Sequence, residues 1–190
     1  MGVDISGINP QVISECPTEP DWNKATEYEK DMYWNSLDLW RAENPGVDFK
    51  SNWWGWRPIH AIADMAIRLV GLPFDTDRWG ENSGAGLETQ EECNQLADAI
   101  DLFMELNNAN MFDSEDTFYL CLGSWTDSTG SFIDRKIQDE LNREYPPGTI
   151  MYRGVVASNG KLVFSSHSAP LYHITNFTTF LRKCGGFEIC

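Results

Sequence analysis

An α+β fold, about five helices packed on a small antiparallel sheet, is predicted by three features of the sequence. Two Thr-x-x-Glu boxes precede apolar stripes at helical spacing, and Asn159-Gly160 separates two β-prone runs. The strands are also too few to alternate with helices in a doubly wound parallel sheet. With 190 residues, 42% of them hydrophobic, the chain can bury one sizeable core. It carries no internal repeat and no Pro- or Gly/Ser-rich linker, so residues 1–190 read as a single domain.

The first helix is predicted over 27–43. Thr26 and Glu29 can satisfy each other's orphan amides, Tyr33, Leu37 and Trp40 recur at helical spacing, and Asn44-Pro45-Gly46 ends the run. A second helix is expected to open at Pro58, whose missing N–H is harmless at a first helical position. Its apolar residues are Ile59, Ile62, Ala63, Ala66, Ile67 and Val70, and it stops at Gly71 and Pro73. The Thr89–Glu92 box starts a third, 90–107, with Cys93, Leu96, Ala97, Ile100, Phe103 and Met104 on one stripe.

Residues 117–122 read as a buried strand, and 131–144 as a fourth helix with Ile133, Ile137 and Leu141 in register. Residues 149–157 and 161–166 form a predicted hairpin within 149–166, turning at Asn159-Gly160 in a type I′ geometry that needs positive φ angles. Ser168 is expected to cap a last helix through Ile174, Phe177 and Leu181, and 187–190 to add a short final strand.

The formal net charge is −15, and its distribution is uneven: residues 151–190 hold one acid, Glu188, against Arg153, Lys161, Arg182 and Lys183. Such a field disfavours direct binding to nucleic acid or to an acidic membrane surface, and it favours a protein partner with a basic surface. The opening residues lack a basic segment followed by an apolar run, and no apolar stretch nears the roughly 20 residues that span a bilayer. A cytoplasmic location is therefore expected. Five scattered cysteines, Cys16, Cys93, Cys121, Cys184 and Cys190, read as free thiols.

The densest chemical cluster is Trp53, Trp54, Trp56 and Arg57, three indoles and a guanidinium suited to a flat or anionic ligand such as a nucleotide-like molecule. The simpler reading is that these rings form the core's aromatic centre, with Arg57 pairing one of the many acids. A second cluster, with Asn82, Gly84 and Gly86, lies before the third helix, where glycines let backbone amides approach an anion. It lacks the Lys-Ser/Thr of a P-loop, so a plain connecting loop is the simpler reading. His60, His167 and His173 sit in no nucleophile frame, and there is no Cys-x-x-Cys or His-x-x-x-His. No catalytic set, metal site or cofactor is predicted.

Four segments resemble, in order, a group of small proteins encoded by bacteriophages and by bacteria carrying prophages. They are Met1-Gly2-Val3-Asp4 with Gly7 and Pro10, the Trp53–Pro58 run, Asn82-x-Gly-x-Gly-Leu87, and Phe180-Leu181-Arg182-Lys183-Cys184-Gly185-Gly186-Phe187-Glu188-Ile189. Where that group carries Arg-Asn-Asn before the tryptophans, this chain has Phe49-Lys50-Ser51-Asn52. The resemblance implies a host cytoplasm as the setting and brings no activity with it. Three functions stand open there. The leading one is a non-enzymatic accessory protein that binds and blocks a host or defence protein with a basic surface. The others are a small-ligand binder using Trp53, Trp54, Trp56, Arg57 and Asn82, and an enzyme whose site is assembled from distant residues.

Overall fold

The computed structural model describes residues 2–107, 117–151 and 154–190. In chain order the described elements are β1 (Gly2–Gly7), α1 (Glu27–Glu43), β2 (Asp48–Asn52), α2 (Trp53–Val70), β3 (Gly86–Leu87), α3 (Gln90–Leu106) and β4 (Thr117–Asp127). They continue with α4 (Arg135–Glu144), β5 (Ile150–Met151), β6 (Val155–Val156), β7 (Leu162–Pro170), α5 (Leu171–Leu181) and β8 (Phe187–Ile189). The α+β class is as the sequence predicts, but the strands form two antiparallel sheets, β2-β1-β8-β3 and β5-β4-β7-β6.

The first sheet unites distant segments: Ile5 of β1 faces Phe49 of β2 on one side and Ile189 of β8 on the other. Strand alternation sends Val3, Ile5, Phe187 and Ile189 inward. They meet Trp56, Ile59 and Ile62 of α2, Leu96 and Ile100 of α3, and Phe177 and Leu181 of α5 in the larger core. Each side chain of this size contributes about 1.5–3 kcal/mol on full burial. A smaller core forms between the second sheet and α4 from Cys121, Trp125, Leu141, Met151 and Val163. There the Trp125 indole donates to Asn142 Oδ1 at 2.7 Å.

Both Thr-x-x-Glu boxes close as predicted, Thr26 with Glu29 and Thr89 with Glu92. The start of α2 is different. Asn52 caps it, its side chain accepting from the Gly55 amide at 2.8 Å, and the helix begins at Trp53, leaving Pro58 inside. The Asn52 cap fixes the start at Trp53 and so places Pro58 in the helix interior, where it can donate no i→i−4 hydrogen bond. Asn52→Ala is expected to cost about 1 kcal/mol in urea unfolding.

Other elements also shift. The helix predicted from 131 begins at Arg135 because Asp134 accepts the Lys136 amide, while Phe132 bridges back to Thr126. Ser168 belongs to β7, opposite Tyr119, and α5 starts after Pro170 without a side-chain cap. The hairpin closes through a three-residue loop rather than a type I′ turn. The Ala157 amide donates to the Lys161 carbonyl at 2.9 Å, the Gly160 amide to the Ala157 carbonyl at 2.8 Å, and Gly160 has φ 79°. Residues 152–153 of the predicted first arm lie outside the described residues. Among the described residues no helix is long and apolar enough to cross a membrane.

Candidate functional site

A surface helix ordinarily turns its apolar stripe to the core. In α1 one residue, Leu37, is fully buried, with Tyr33, Trp40 and Arg41 half-buried beside it. The segment before α1 folds over that inner side: the Trp40 indole donates to the Ser14 carbonyl at 2.9 Å, and Trp22 packs on Tyr33 at 5.4 Å between ring centres. On the outer side a second apolar stripe remains. Tyr28, Met32 and Leu39, at i, i+4 and i+11, are 73%, 48% and 69% exposed.

At 100° per residue, exposed Glu27, Asp31 and Asp38 run along one flank of this stripe and exposed Glu29 and Glu43 along the other. The two cations of the helix, Lys30 and Arg41, both lie on the half-buried side. Lys30 pairs with Glu27 at 2.7 Å, and Arg41 reaches across to Asp48 at 3.1 Å. The Glu29 carboxyl is held below its ordinary range by hydrogen bonds from the Thr26 backbone and hydroxyl. The outer face is thus an aromatic and aliphatic strip between rows of carboxylates.

The residues expected to form one ligand site are divided. Because α2 begins at Trp53, successive indoles point in different directions. Trp56 is 0% exposed, its Nε1–H donating to the Trp79 carbonyl at 2.8 Å and its ring edge-on to Phe177. Trp53 is half-buried against the same core. Trp54 is 69% exposed, with the Arg57 guanidinium 5.0 Å from its ring centre.

Asn82 is exposed on the loop before β3. Gly84 and Gly86 line a cavity of about 410 Å³ with Asp75, Arg78, Glu88 and Glu188, three carboxylates against one cation. Arg57 borders a separate cavity of about 390 Å³. The link between the two motifs is internal, through the Trp56–Trp79 hydrogen bond. Trp79 opens the glycine-rich cluster in the sequence, and in the structure it is wholly buried and pins that loop to the core.

His60 Nε2 lies 3.0 Å from the Thr76 carbonyl, and burial holds its pKa below the usual value. His173 Nε2 lies 3.2 Å from Ser51 Oγ beside a cavity of about 450 Å³, its pKa lowered by burial alone. Ser51 also has the carbonyl of Asn52 at 3.1 Å as an acceptor for its hydroxyl. The side chain of His167 lies outside the described residues. Cys93 and Cys184 are buried with their sulfurs 3.5 Å apart, and the hydrogen bond to Cys184 together with burial pushes the Cys93 thiol far up. Among the described residues no group of three His, Cys, Asp or Glu side chains is arranged to hold a metal ion. No protein-family model, curated protein or solved structure matches the chain.

Proposed function

We propose that the protein works by docking the outer face of α1 into a basic surface of a partner protein, blocking that partner. In the setting implied by the resemblance to phage proteins, the partner is a host or defence protein. The observation that carries the reading is the stripe of Tyr28, Met32 and Leu39 held in solvent between carboxylate rows. Apolar anchors along one helix face match the way an amphipathic helix enters a groove, and aromatic residues and Met are enriched at such contacts.

The charge defines the other side. Five acids and two half-buried cations on α1, on a chain of net charge −15, call for a groove rimmed by Lys or Arg. Steering of this kind weakens as salt shortens the screening length.

The test is capture from bacterial lysate with wild type and a Tyr28→Ala/Leu39→Ala variant, at low and high ionic strength. Both residues are solvent-facing, so the variant keeps its fold. Wild type is expected to retain one protein at low salt and release it at high salt. The double variant is expected to bind that protein at least about 30-fold more weakly, the loss of a hot spot. Equal retention by both proteins would refute the α1 contact, and salt-insensitive retention would refute the charge argument.

A further inference from the structure

Trp54, Arg57, Ala61, Asp64 and Arg68 follow one another at three or four residues, so α2 carries them on a single outward stripe. Beside that stripe lies the cavity of about 390 Å³, with Arg57, His60, Arg68, Thr76 and Asp77 in its walls. A cavity of this size accommodates a small aromatic molecule with one charged group.

Its electrostatics differ from those of the cavity beside β3. Asp64 is engaged on both oxygens, Thr76 Oγ1 donating to one at 3.0 Å and Arg68 lying 3.0 Å from the other. Asp77 is the other acid of the wall. Among the described residues no carboxylate lies within 4.0 Å of the Arg57 guanidinium, which is stationed over the Trp54 ring instead. The first turn of α2 contains no acid, so the positive end of the helix dipole is left uncancelled by its own residues.

We propose that this face of α2 binds a nucleoside monophosphate or a molecule of the same chemistry, its ring stacking at Trp54 and Arg57 and its phosphate meeting the Arg57 fork. An indole with a stacked guanidinium suits a planar base, and the fork suits phosphate oxygens. Asn82, Gly84 and Gly86 take no part, because the carboxylates around that other cavity repel an anion. The proposal is independent of the α1 contact, which lies on another helix.

Isothermal titration of the full chain with adenosine monophosphate, adenosine and inorganic phosphate tests it. The monophosphate is expected to bind saturably and more tightly than either part alone. Arg57→Gln and Trp54→Ala are each expected to weaken it at least about 10-fold, while Trp54→Phe keeps most of the affinity. Trp54 and Arg57 are exposed, so the variants are expected to remain folded, which circular dichroism checks. Absence of saturable binding would overturn the proposal, as would undiminished affinity in Arg57→Gln. Phosphate binding as tightly as the monophosphate, unaffected by Trp54→Ala, would also overturn it by reducing the site to a bare anion contact.

Discussion

Replacing Trp56 with alanine is expected to lower the unfolding free energy by about 3–5 kcal/mol, measured by urea denaturation. The side chain is wholly enclosed, with Phe177 edge-on at 5.4 Å, and its removal leaves a void that helix and sheet cannot both close. Trp56→Phe separates the two contributions of the indole. It keeps much of the packing but strands the Trp79 carbonyl, which loses its donor, at a cost of about 1–3 kcal/mol. Trp54→Ala, two residues away, is expected to change stability by no more than about 0.5 kcal/mol. Similar losses at 54 and 56 would contradict the division of the tryptophan run into an inner and an outer member.

The second large effect is expected at Gly86. Here β3 approaches β8 so closely that a Cβ would run into the Phe187 carbonyl. β8 cannot retreat because β1 holds it on its other side, and the edge strand β3 is tied to it by the bonds from Gly84 N–H to the Ile189 carbonyl and from Ile189 N–H to the Ala85 carbonyl. Gly86→Ala is expected to cost about 3 kcal/mol. For a chain of this size that lowers the melting temperature by about 6–12 °C, read by circular dichroism. Gly80→Ala is the control: a Cβ there meets nothing within 4 Å, so its melting point should hardly move.

Local signals explain which parts of the fold were legible. Thr26 with Glu29 and Thr89 with Glu92 mark α1 and α3 closely because a capping box is completed within four residues. Asn159-Gly160 marks a reversal, but the dipeptide does not say whether two or three residues form the loop. β1 was overlooked for another reason. Gly2–Gly7 offers only Val3 and Ile5 as apolar alternation, and its partners lie more than 40 and 180 residues away in the chain. Such pairing leaves no trace within a short window of sequence.

The candidate site shows the same limit. The helical spacing of Tyr33, Leu37 and Trp40 marks the inner side of α1. The spacing of Tyr28, Met32 and Leu39 was visible as well, yet nothing local says that the core stops short of them. In the tryptophan run the outcome hinged on where α2 begins. Placing the first turn at Asn52 rather than Pro58 would have put Trp54 with Arg57 and Trp56 with Ile59 and Ala63, on opposite sides of the helix.

The position of β8 also governs the order of events during synthesis. It is flanked by β1 and β3, so β3 has no partner in the first sheet until residues 187–189 have left the ribosome. Among the described residues the smaller core around Trp125 draws on positions 121 to 163, so it can consolidate earlier. Val3 and Ile5 are translated long before Ile189, so their apolar side chains stay uncovered on that side in the interval, the kind of exposure that favours aggregation or chaperone capture.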